Sequence, residues 1–540
     1  MKLWSKRLLA LCLAVCLLLG GCATPDLGEF WQSLQNAIHT GLATPFDEMV
    51  YTRPDPDDVV RQAAKTADLS KTDTDIDSLR EEVLTCYDIY YSFYTNYMLS
   101  NIRYCTDMTD IYWEEEYNYC LDAAAEVDAA MDSLLYELAD CELREALEQD
   151  DFFGEDFFSA YEGDSLWDET FTALMDREAE LLTKYYALSA KAMAEESYTD
   201  AYFKKWGVQF ENLFLELVLL RQEIAQYAGY ENYLSFAYDF YYHRDYTPKE
   251  AADFLSEIRR ELSGLYATIP GDVWDAGRKR STESQTLFYV EGFSEKMGGT
   301  VADAFALLKD SKLYDISVSD KKYPASFEVY LPSYFTPYIF MDPRGTAEDK
   351  LTLAHEFGHF CSDYAASGSA AGIDVAEVFS QAMEFLSLRY SDDVEALEKI
   401  KLADSLSLMV EQTAYASFEH QLYAITDESL TVEKIRSLYE TIGKECGFES
   451  WGWDCRDYVM VPHFFTNPLY VVSYVVSNDA AMQIYEAELK TPGAGLAILE
   501  DSLATQQAYF LAYVEEAGLE SPFRSGRAKE LAEIFREGIW

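Results

Sequence analysis

Positive charge is scarce in this chain: 42 Lys and Arg stand against 96 Asp and Glu in 540 residues, a formal charge of −54. Such a polyanion repels a phosphate backbone, which excludes a nucleic-acid partner, and the excess acid reads as a solvated surface that keeps the chain soluble. Cysteine shows no CxxC pair. Beyond Cys12, Cys16 and Cys22 it falls at 86, 105, 120, 141, 361, 446 and 455, an odd set in which no disulfide framework is read. After the first 21 residues no apolar run is long enough to span a bilayer. Nor is there an internal repeat or a Gly/Ser linker beyond residue 80, so the chain reads as one large body despite its length. With 49% hydrophobic and 15% aromatic residues it has enough to bury a substantial core.

The start of the chain is of another kind. Lys2, Lys6 and Arg7 precede a short apolar run that ends in Leu19-Gly20-Gly21-Cys22. This is the pattern of an export signal over residues 1–21, too short to be a comfortable membrane span. The cysteine at the cleavage point resembles the lipobox of bacterial lipoproteins, which implies a lipid on Cys22, anchorage at the membrane surface and an extracytoplasmic place in a bacterial cell envelope. An ordinary secreted protein with an incidental Cys22 is the alternative. Residues 22–80 read as a tether and lead-in, flexible overall, because Pro25, Pro45, Pro54 and Pro56 recur among polar turns such as Asp55-Pro56-Asp57-Asp58.

Residues 81–540 form the body, and its fold class is mainly α. Apolar residues recur three and four apart over 79–99, 112–147, 167–196, 202–227 and 249–265. Strand-like alternation is confined to Ser326–Tyr330 and Tyr338–Met341, with Pro337 tolerable only at an edge or a strand start. An edge there could take an extended peptide as an added strand, or the pair could simply brace the helix that follows.

Histidine is rarer than any charge, 6 in all, yet two fall four apart in His355-Glu356-Phe357-Gly358-His359. On a helix, His355 and His359 lie one turn apart on one face and can ligate one ion, zinc suiting that geometry best, with cobalt or manganese as alternatives. Glu356 is rotated off that face, where it can take a proton from water that the ion activates. Thr346 with Asp349 marks the helix start, the helix should run to about Ala366, and a second helix should begin near Asp374. A catalytic zinc site needs a third protein ligand, and Glu377 on the second helix is the choice. Glu384, two turns further along the same face, could ligate instead but suits a role orienting an imidazole N–H.

His-Glu-Phe-Gly-His followed by Glu377-x-x-Ser380-Gln381-x-x-Glu384 resembles the oligoendopeptidase F and thimet oligopeptidase family of zinc peptidases, where the first Glu of the second motif is the third metal ligand. Phe379 stands where the family often has proline, a departure that touches packing more than chemistry. A third block, Val461-Pro462-His463-Phe464-Phe465 through Pro468-Leu469-Tyr470 to Tyr474, looks like the family's His-Phe block, with Leu469 in place of the usual Phe. The resemblance implies oxyanion donors at His463 and Tyr474, with Tyr470 as the second tyrosine. It also covers Arg221 to Tyr233 and Tyr334 to Phe340 more weakly. It implies a helical body split by a deep channel, residues 81–330 forming the channel lobe and 331–540 the catalytic lobe. Short unfolded oligopeptides would then be the substrates, cut internally with one zinc per chain, and no obligate protein partner is evident. A zinc carboxypeptidase or dipeptidase of similar fold, or a peptide-binding lipoprotein without catalysis, would carry the same ligands.

Overall fold

The computed structural model describes residues 44–540 apart from 73, 150–152, 154–156, 162–165, 167, 193–197, 367–370, 393, 427–428 and 449–451. The signal segment, Cys22 and the stretch to residue 43 lie outside the described residues. None of the described helices is long and apolar enough to cross a membrane.

The body begins earlier than the proline pattern suggested. Helix α1, Pro56–Ser70, packs against α2, Ile76–Thr106, and α3, Ile111–Ala139. Its start is built from the residues read as linker: Asp55 is the N-cap, its carboxylate accepting from the Asp57 N–H, and Pro56 occupies the first helical position, where its missing N–H costs nothing. Val59, Ala63, Thr66 and Ser70, three or four apart, are buried. Met49 is buried as well, and Arg53 meets Glu116 of α3 at 2.6 Å. Residues 46–80 are therefore part of the folded body and not a flexible lead-in.

Helix α4, Glu169–Ala192, pairs with α5, Val208–Tyr227, and α6, Pro248–Tyr266, follows a tight capping box at Thr247 and Glu250. The β-structure is slight. Strands β1, Tyr314–Asp315, β2, Ser326–Leu331, and β3, Thr336–Met341, form a sheet in the order β1-β3-β2. The central strand is β3, wholly buried, with Pro337 as its second residue opposite Tyr330, so the proline sits at a strand start as its chemistry demands. Strand β2 is an edge, paired antiparallel to β3 and alternating in burial.

Both strands pack on helix α7, Asp349–Ala366, which carries the His355 motif. Thr346 does not cap it through its hydroxyl. Asp349 at the first helical position instead gathers the N–H groups of Arg344, Gly345 and Thr346 at 2.9, 2.8 and 3.0 Å, which pins the loop to the helix start. Helix α8, Ile373–Arg389, follows and packs on α7. Helices α9, Glu395–Tyr423, and α10, Val472–Lys490, follow, with α10 laid along α8. The seven cysteines from Cys86 onward are all free, and Cys361 is a buried packing residue.

Candidate active site

Two helices must approach closely for His355, His359 and Glu377 to meet, and Gly358 is what lets them. A β-carbon at 358 would lie 2.5 Å from Ser380 Cα and 2.7 Å from the Phe379 carbonyl oxygen, so α7 and α8 touch backbone to backbone at this point. Gly358→Ala should force the helices apart, at a cost of about 1–3 kcal/mol in stability. It should also weaken metal binding, because Glu377 is one turn from the contact; a variant that melts and binds zinc like the parent would refute this. Phe379, at the position where proline was the expected residue, is fully buried and meets Tyr513 edge to face.

The ligand atoms of His355, His359 and Glu377 all lie within 4.8 Å of one another. His355 Nε2 and Glu377 Oε2 are 3.7 Å apart, close to the roughly 3.3 Å between ligands around a tetrahedral ion with bonds of about 2.0–2.1 Å. The groups behind them also suit a metal centre. Glu384 Oε1 stands 2.9 Å from His355 Nδ1, leaving Nε2 to face Glu377. Tyr470 donates to Glu377 Oε1 at 2.8 Å, and Ser380 to Oε2 at 3.3 Å. Two imidazoles and a carboxylate converging on one point, with His355 and Glu377 held from behind, fit a divalent zinc-type ion. Glu377 is the carboxylate within the convergent set, and Glu384 stands behind His355.

Charge in this cluster is arranged by burial. Burial works against a charged His355, but the hydrogen bond its Nδ1–H donates to Glu384 and the nearby Glu377 and Glu356 outweigh it and raise the imidazole to about 9. His359 goes the other way, lowered well below its ordinary value by burial and by its neighbour's charge. Burial pushes Glu356 up to about 7, against the pull of His355. Glu377 is raised by burial, whereas in Glu384 the same burial is overcome by Lys401 and His355, and the carboxyl sits below its usual range. Glu356 lies outside the three-ligand set and under the edge strand, with the Glu328 N–H of β2 directed at its carboxylate.

The third block is brought to the same place. Tyr470 stacks on His463, with ring centroids 5.6 Å apart, while its hydroxyl bonds Glu377, so it ties this segment to the ligand carboxylate. Its hydroxyl donates to Glu377 here, which puts the residue read as the second tyrosine of this block beside that carboxylate. Tyr474 Oη stands 3.5 Å from His463 Nε2. Burial holds His463 down at about 4, so the ring is neutral at neutral pH.

Three buried charged residues that sequence reasoning did not single out suspend this segment. Arg221 of α5 gives its guanidinium to Glu178 at 2.6 Å and to the Phe464 and Phe465 carbonyls. Arg244 reaches the Leu469 carbonyl at 3.1 Å, Ser473 Oγ at 3.0 Å and Asp374 at the start of α8 at 3.3 Å, with the rings of Tyr238 and Tyr242 against its guanidinium. Glu419 of α9 accepts the Leu469 N–H at 2.8 Å. Leu469 has a positive φ of 66°, a strained conformation for a branched residue that these bonds hold in place.

This mainly helical chain places His-Glu-x-x-His on one helix and a glutamate on the next, and known proteins share its fold and parts of its sequence. The Peptidase M3 N-terminal domain family matches residues 46–165. Oligopeptidase PepF of Bacillus subtilis (strain 168) is 26% identical over 255 residues, 44% of this chain, and the match spans only 37% of that relative's length. Among solved structures, PZ peptidase A with an inhibitor superposes with a TM-score of 0.79 at 16% identity, covering 92% of this chain and 99% of that one. A Bacillus anthracis (strain Ames) protein assigned as an oligoendopeptidase F gives 0.75 at 18% identity over 92% and 98%. The chain is thus similar to M3 peptidases over residues 46–165 and to an oligopeptidase over 255 residues, and its fold is that of the oligoendopeptidase F structures.

Proposed function

We propose that the chain is a zinc-dependent metalloendopeptidase that hydrolyses internal bonds of short unfolded oligopeptides. The observation that carries this reading is the convergence of His355, His359 and Glu377 on one point with Glu356 beside them and outside the ligand set. Zinc held by those three residues supplies a Lewis acid that acidifies water and polarises a carbonyl. Glu356 takes the proton of the attacking water at its carboxylate and delivers it to the leaving amine. His463 and Tyr474 donate hydrogen bonds to the oxygen on which negative charge develops. Glu384 and Tyr470 hold His355 and Glu377 in place for this. Strand β2 is an outer strand of the described sheet, the position at which an extended peptide adds as a further strand.

The export pattern of residues 1–21 and the cysteine at 22 support an extracytoplasmic enzyme held at the membrane surface by a lipid on Cys22. The test of the activity is cleavage of an internally quenched, end-blocked peptide of about ten residues, with and without a chelator and then with zinc added back. Cleavage lost on chelation and restored by zinc is expected. No cleavage by a chain loaded with one zinc would overturn the endopeptidase reading, and free-ended peptides would then test for an exopeptidase.

A further inference from the structure

Lys401 of α9 is fully buried, a position a lysine almost never takes unless its charge is met. Its Nζ lies 2.7 Å from Glu384 Oε2 and 4.7 Å from the centre of the Phe385 ring. The other oxygen of the same carboxylate, Oε1, stands 2.9 Å from His355 Nδ1. A line of contacts therefore crosses three helices, from α9 through α8 to the candidate metal ligand on α7.

We propose that Lys401 is a positioning residue for the metal centre, acting through Glu384 on the tautomer and orientation of His355. The argument is one of donors and acceptors. An ammonium has only donors, so the Glu384 oxygen that faces it must accept. With one oxygen held in this way and a positive charge beside it, the other oxygen is an acceptor too, and His355 Nδ1 must bring the proton. In the neutral ring that binds a metal, Nε2 is then the bare nitrogen, and it is turned toward Glu377 as a ligand nitrogen has to be. Without Lys401, Glu384 keeps its contact with His355 but loses what fixes its own rotamer and its acceptor character. The inference rests on the metal site proposed above, and it reaches one residue further out than any group that touches a ligand.

The test is a double-substitution cycle read in zinc affinity, measured on the full chain at fixed pH by competition with a chromophoric chelator. Lys401→Met and Glu384→Gln are each expected to weaken zinc binding about tenfold or more. The double substitution is expected to bind no more weakly than Glu384→Gln alone, because Lys401 has no other route to the metal. Lys401→Gln, which keeps a donor and loses the charge, repeats the measurement should the methionine variant fail to fold, with a loss of about fivefold or more expected. Lys401→Arg, which keeps the charge, is expected to stay closer to the parent than either. Binding by a folded neutral variant within twofold of the parent overturns the proposal, as do losses that multiply in the double. A parent chain that binds no zinc overturns the proposal together with the site beneath it, whereas tight parental binding with an unresponsive Lys401 overturns the proposal alone.

Discussion

Glu356→Gln is expected to bind one zinc per chain like the parent and to lose about 10³-fold in kcat, with KM little changed. The substitution keeps the size of the side chain and an acceptor for the Glu328 N–H, and it removes only the capacity to take up a proton. Glu356 is well placed for that one task. It follows His355 directly in α7 yet stands outside the set of three converging ligands, so its loss does not open the coordination sphere. Burial raises its carboxyl above the usual carboxylate range, which favours proton uptake from water. Metal content measured beside turnover separates this role from ligation. Near-normal kcat in a zinc-loaded variant would remove Glu356 as the base, and a metal-free variant would show that it supports the site in some other way.

The parts of this site that were legible in the sequence are the parts fixed by local geometry. His355 and His359 four apart need only a helix to share a face, and the helices do end at Ala366 and begin again at Ile373. Glu377 was chosen as ligand with Glu384 as the alternative, and the structure brings the Glu377 carboxylate within 4.8 Å of the ligand atoms of both histidines and Glu384 Oε1 to 2.9 Å from His355 Nδ1. What was not legible is long range. Arg221 bonds a carbonyl 243 residues away, and Lys401 meets a carboxylate on a different helix. Each carries a cue, a charged residue among Leu217, Val218 and Ile224 or between Leu397 and Ser405 on the inward side of a helix. The cue announces a buried partner without naming it. Residues 46–80 were misread for a different reason: Asp-Pro is both a turn signal and a helix start, and only the burial of Val59 and Ala63 against α2 and α3 decides between them.

His463→Ala and Tyr474→Phe are each expected to lower kcat about 10²-fold or more while leaving zinc content unchanged. Neither side chain belongs to the ligand set, and their polar atoms stand 3.5 Å apart, close enough to serve one oxygen together. Because burial keeps His463 neutral at working pH, its ring offers a single N–H and no net charge, so its contribution grows as charge develops on the substrate and is small before that. The loss should therefore fall on kcat and not on KM, and the double substitution should cost less than the product of the singles if both donors address the same oxygen. Tyr470→Phe separates the neighbouring tyrosine from this pair. It removes the hydrogen bond that the Tyr470 hydroxyl donates to Glu377 and should show as weaker zinc retention before it shows in kcat measured at saturating zinc. A Tyr470→Phe chain with normal zinc affinity and a hundredfold lower kcat would return that residue to the oxyanion role. The arm that carries all three is held by Arg221, Arg244 and Glu419, none of which touches the metal ligands' coordinating atoms. The donors are thus fixed before substrate arrives, which is what lets a hydrogen bond to a developing charge act without further ordering of the protein.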